Sequence, residues 1–106
     1  MLWIYPVIAL LDKERKRISS ETDAMNGLVV DINHHRGMVA IRTPQGFSIF
    51  ELMGEDPVEL GDEIAWKDDT ALGGNMIHNR TQYESYEVYF QNHHVSRATL
   101  RRQMLY

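Results

Sequence analysis

Residues 27–52 read G-L-V-V-D-I-N-H-H-R-G-M-V-A-I-R-T-P-Q-G-F-S-I-F-E-L, and their punctuation decides the architecture. Residues 27–33, 38–43 and 47–52 are rich in Val, Ile, Leu and Phe. These residue types suit a pleated surface with at least one buried side. Asn33-His34-His35-Arg36-Gly37 separates the first two runs, and Thr43-Pro44-Gln45-Gly46 the last two. Both separators carry turn chemistry: Gly supplies a positive φ, and Pro presets the φ of a turn residue. Three short strands joined by tight turns follow from this stretch alone.

The pattern continues outward. Glu55-Asp56-Pro57 is a breaker, and Leu60-Gly61-Asp62-Glu63 turns into a strand over residues 64–67. A loop over residues 68–74 leads to a fifth strand at residues 75–81. Residues 86–91 alternate Tyr/Val/Phe with Glu/Tyr/Gln, the period of a sixth strand. Ser96 stands where it would cap a closing helix running to Leu105, although the apolar positions of that segment make no clean stripe. Short strands at close spacing, broken by Gly and Pro, imply an all-β fold closed into a small barrel, which removes exposed strand edges.

Composition sets the outer bounds. At 106 residues and 12.4 kDa the chain makes one domain. The absence of cysteine excludes a disulfide scaffold, thiolate zinc, an iron–sulfur cluster and a cysteine nucleophile, and it fits a cytoplasmic protein. The net charge of −4 disfavours a uniformly basic binder of nucleic acid or anionic membrane. The charge is uneven, however. Residues 25–77 set Arg36, Arg42 and Lys67 against many acids, whereas the last residues hold Arg97, Arg101 and Arg102. A polyanion is better received at the ends of the chain than in its middle.

The apolar run at residues 2–11 contains Pro6 and is followed, not preceded, by basic residues. As a helix it spans about 15 Å, half of a hydrocarbon core, so it reads as a buried strand or short helix and not as a membrane anchor or secretory signal. The mixed-sign cluster at residues 12–17 reads as a solvated turn or helix face.

Candidate chemistry is sparse. The histidines come as His34-His35, His78 and His93-His94, with no spacing that marks a metal site. The acids of residues 55–69 are strung along turns, without the opposed pair that acid–base catalysis needs. No phosphate cradle and no nucleophile motif is present. The expectation is a non-enzymatic protein with no cofactor and no metal.

The order M-N-G-L-V-V-D-I-N, R-G-M-V-A-I-R-T-P-Q-G, F-S-I-F-E-L, E-L-G-D-E-I and H-N-R-T over residues 25–81 resembles the cold-shock domain. That resemblance implies a five-stranded oligonucleotide-binding-type barrel at residues 25–81. Residues 1–24 then form an N-terminal extension, and residues 82–106 a C-terminal one with a strand and a short helix, all in one compact domain. It also implies single-stranded RNA or DNA binding, with bases stacked on strand aromatics and phosphates met by basic residues at the rim. The positions it marks are His34, His35, Arg36, Met38, Arg42 and Phe50. Several departures thin the aromatic platform. Asp31 stands where the family has a tryptophan, Met38 and Ala40 where it stacks phenylalanines, Leu52 where it has histidine, and Glu51 where it buries a valine. Trp3, Tyr83, Tyr86 and Tyr89 are the candidate replacement rings.

Strand alternation groups Asp31, Met38, Ala40, Arg42, Phe50 and Leu52 on one mostly apolar face. Such a face suits a protein partner, a second copy of the chain, or the chain's own termini. Residues 2–11 or 83–91 are the segments expected to cover it. Two functions therefore stand side by side: single-stranded nucleic-acid binding, and protein interaction or self-association through the same face.

Overall fold

A computed structural model describes residues 25–68 and 70–106. The readings made for residues 2–11 and 12–17, for Trp3 and for Asp69 lie outside the described residues. Six strands are present: β1 (Met25–Asn33), β2 (Met38–Thr43), β3 (Gly46–Leu52), β4 (Glu63–Trp66), β5 (Gly73–Asn79) and β6 (Glu84–Val95). A short helix, α1 (Arg97–Gln103), follows them. Among the described residues no helix is long and apolar enough to cross a membrane.

The strands close into a barrel in the order β1-β2-β3-β6-β5-β4, and every neighbouring pair is antiparallel. The all-β barrel expected from the sequence is therefore present, with one correction: residues 84–95 are a sixth stave and not an appendage. Parity supplies the reason. Strands that alternate in direction around a closed ring must be even in number. With β1 antiparallel to both β2 and β4, strands β3 and β5 run the same way. Inserting β6 between them gives each an antiparallel partner.

β2 and β3 differ from the other staves in being buried on both sides. Residues 38–41 and 47–50 are buried without interruption. Val39, Ile41 and Phe50 point into the barrel, where they meet Ile64, Trp66, Ile77, Val88 and Phe90. Phe50 and Phe90 pack edge to face at 5.6 Å, and Trp66 lies 5.2 Å from Phe90. Met38, Ala40, Phe47 and Ile49 point outward into a second core, closed by Val95, Leu100 and Met104. A strand with both faces covered reads as an apolar run and not as an alternation, which accounts for the M-V-A-I and F-S-I-F stretches.

The close approach of β1 to β2 requires Gly27, because a Cβ there would collide with the Arg42 carbonyl oxygen. The crossover from β3 to β4 is tied down by Asp62, whose Oδ2 accepts hydrogen bonds from the Glu59 amide, Asn79 Nδ2 (2.8 Å) and Gln82 Nε2 (2.7 Å). Two irregularities in the β3–β6 register bulge β6. They turn Asn92 outward to Gln103 of α1 and His93 inward against Trp66 and Phe90.

Candidate nucleic-acid interface

The residues marked by the resemblance do not form one site by themselves. His34, His35 and Arg36 are exposed in the β1–β2 turn, and Arg42 is exposed near the far end of β2. Arg36 precedes β2 and Arg42 lies near its far end, so the length of the strand separates them. Met38 is only 3% exposed and lies under the outer core, and Phe50 is fully buried inside the barrel. Neither offers a surface on which a base can stack, so both are corrected from ligand positions to core positions.

Register explains the error for Phe50. The hairpin pairs Thr43 with Gly46, which sets Val39 opposite Phe50 and Met38 opposite Glu51. Phe50 therefore shares the inner side of Val39, and half-buried Leu52 packs against the same inner core. Alternation assigns residues to two sides within one strand, but the turn decides which sides of two strands coincide. Glu51, read as a departure from a buried position, is in fact exposed and accepts a hydrogen bond from Gln91 Nε2 at 3.2 Å.

The outer side of β2 and β3 is occupied by the chain's own C-terminal segment, and not by residues 83–91, most of which belong to β6. Leu100 and Met104, four apart on one side of α1, press on Met38, Ala40, Phe47 and Ile49. Asn33 Nδ2 donates to the Met104 carbonyl at 2.9 Å. The Tyr106 hydroxyl lies 2.7 Å from Asp31 Oδ1 and 3.3 Å from the Ile32 carbonyl oxygen. Leu105 makes the return possible by adopting φ 63, a left-handed conformation that glycine ordinarily fills at a helix end. Ser96 sits at the N-cap without a side-chain capping bond. A helix of two turns is too short to persist by propensity, so packing and these ties hold it in place.

This cover brings the arginines together. Arg97 lies with its guanidinium carbon 5.3 Å from the centre of Phe47, the cross-strand partner of Arg42. Arg101 lies 4.8 Å from the centre of the Tyr106 ring. Both distances fall in the cation–π range. Arg102 is exposed on the outward side of α1. Arg36 belongs to the turn that begins at Asn33, the residue gripping the end of the helix, and its amide lies 3.3 Å from Asn33 Oδ1. The helix, about 10 Å long, thus bridges the gap between Arg42 and Arg36 with three further guanidinium groups. The other described lysine and arginine lie elsewhere: Lys67 is in the β4–β5 connection, and Arg80 is paired with Glu63 at 2.9 Å. Glu55, Asp56, Glu59, Asp62 and Glu63 lie in the β3–β4 crossover and the start of β4, and Glu84 and Glu87 on β6, whereas Asp31 and Glu51 border the surface that α1 covers.

The sequence marked the arginine-rich end as basic but not the face it would occupy. Tyr106 escaped notice altogether, because its partner Asp31 is 75 residues away and no local spacing joins them. Tyr86, a candidate stacking ring, is buried and donates its hydroxyl to the Pro57 carbonyl at 2.7 Å. Burial raises its pKa above the ordinary value of 10. The Tyr106 phenol is also raised, chiefly by the bond to Asp31.

The rings of His93 and His94 lie 6.4 Å apart, but among the described residues no group of three or more His, Asp or Glu converges on a point suited to a metal. His78 Nδ1 meets Ser85 Oγ, and His94 meets Gln45. His93 closes the opposite end of the barrel: its Nε2 lies 2.6 Å from the Ala71 carbonyl and its Nδ1 2.9 Å from Ser48 Oγ. A carbonyl only accepts, so Nε2 carries the proton, and in the neutral ring Nδ1 accepts from the serine. Ser48 is 2% exposed, a buried partner in a packed network.

No known family model, curated protein or solved structure matches the chain.

Proposed function

We propose that the protein is a small binding module that receives single-stranded nucleic acid along the arginine-lined surface of its C-terminal helix. One observation carries this reading: α1 collects Arg97, Arg101 and Arg102 between Arg36 and Arg42 on a molecule of net charge −4, and most of the described acids, Asp31 and Glu51 apart, lie elsewhere. Two of the guanidinium groups rest on aromatic rings, so less side-chain freedom is lost when a phosphate arrives. The cold-shock resemblance points to the same side of β2 and β3, but the chemistry differs. There the strands themselves present rings to bases. Here the strands bury apolar side chains under a helix, and the helix presents charge. The cysteine-free chain fits a cytoplasmic setting for this role.

The test is a titration of labelled single-stranded RNA and DNA followed by anisotropy. Each arginine–phosphate contact on a single strand contributes a slope of about −0.7 in log affinity against log salt. If all five arginines engage, affinity falls roughly a hundredfold between about 50 and 200 mM salt. Glutamine at both Arg101 and Arg102 should weaken binding and flatten that slope. No binding at low salt, together with a mass that rises with protein concentration, would replace this reading with self-association.

A further inference from the structure

We propose that Tyr106 is the base-stacking residue of this surface, an inference that rests on the nucleic-acid reading above. Tyr106 is 53% exposed, yet it is not a loose surface ring. Its hydroxyl is held by Asp31 and the Ile32 carbonyl, and Arg101 lies against its face. The left-handed turn at Leu105 delivers it to that position, a conformation that costs a non-glycine residue energy. Strain of this kind persists only where surrounding contacts over-determine it. A phenol is protonated at neutral pH, and the bond to Asp31 raises the Tyr106 pKa further above its ordinary value, so the hydroxyl remains a donor to Asp31.

The ring is anchored at its polar end and leaves apolar surface in solvent beside Arg101. A flat aromatic ligand joined to phosphate matches this pairing: the ring takes the base, and the guanidinium groups take the phosphates on either side. Half-exposed Tyr89 sits in a different setting, facing Glu51 across the β3–β6 pair. A stacked base contributes enough that losing its platform weakens binding by about tenfold or more.

The experiment uses the full chain with three probes at low salt: a labelled oligothymidylate, an abasic oligonucleotide of the same charge, and inorganic polyphosphate. Tyr106→Leu should bind oligothymidylate about tenfold more weakly and polyphosphate unchanged, whereas Tyr106→Phe, which keeps the ring, should retain most of the affinity. The unmodified protein should bind the abasic strand about tenfold more weakly than oligothymidylate, a measurement that needs no variant to fold. Equal oligothymidylate affinity in Tyr106→Leu and the unmodified protein overturns the inference and leaves the broader reading intact. Parallel losses for oligothymidylate and polyphosphate also overturn it, because they mean that Tyr106 only props the helix. Failure of the unmodified protein to bind oligothymidylate at all removes the broader reading, and this one with it.

Discussion

β2 and β6 are neighbours of the same strand, β3, and yet they are built on opposite plans. In β6, residues 85–91 alternate exposed and buried, with Tyr86, Val88 and Phe90 pointing in and Glu87, Tyr89 and Gln91 pointing out. In β2, residues 38–41 are buried throughout. The first plan is a barrel wall that faces water. The second is a wall that needs another layer, and α1 with Met104 supplies it. A stretch apolar at both phases of a strand is therefore a sequence-level demand for a cover, even when the sequence does not name the segment that provides it.

The largest effect should come from the core that both plans share. Phe50→Ala removes a ring that packs edge to face on Phe90, and it should cost about 3–5 kcal/mol in denaturant unfolding. A loss near zero would mean that Phe50 faces outward after all. Next comes the cover itself. Met104→Ala should cost about 2 kcal/mol or more and raise binding of an apolar dye as the outer core opens. On the uncovered wall, Tyr89→Ala should change stability by no more than about 0.5 kcal/mol. Equal costs for these two substitutions would break the distinction between the walls. Asn33→Ala leaves the Met104 carbonyl without its donor and should cost about 1–3 kcal/mol, again with increased dye binding.

The smallest effect is alkaline. Tyr86 and Tyr106 both have folded-state pKa values raised above the ordinary 10, the first by burial and the second by its bond to Asp31. The unfolded chain then loses these protons first. Their contribution to stability is complete below about pH 10 and is lost as pH rises through the folded values. Unfolding midpoints measured across that range should decline, and Tyr86→Phe should make the decline shallower. A midpoint flat to the most alkaline pH would contradict both assignments.

Much of the fold was legible in residues 27–52 because Gly and Pro mark the turns and the apolar runs between them are short. β2 came out at the bounds the sequence suggests, residues 38–43. What the sequence could not settle was phase between strands. The Thr43–Gly46 hairpin sets Phe50 beside Val39, and no residue of either strand announces that pairing. β6 was also underestimated. Its bulges interrupt the alternation after Phe90, so residues 92–95 do not read as strand. At the candidate site, Arg36 and Arg42 were visible as isolated cations. Their connection depends on a helix that follows β2 by more than fifty residues, and on contacts such as Asn33 with Met104 and Asp31 with Tyr106 that no local pattern encodes.

The tie between Asn33 and Met104, 71 residues apart, also sets an order of events during synthesis. A ribosome adding about 5–20 residues per second releases β2 and β3 several seconds before it releases their cover. Throughout that interval Met38, Ala40, Phe47 and Ile49 form an open adhesive strip on the nascent chain. Arg42 and Glu51, at the margins of the two apolar runs, are placed to discourage like strips on neighbouring chains from pairing until the last turn of helix arrives.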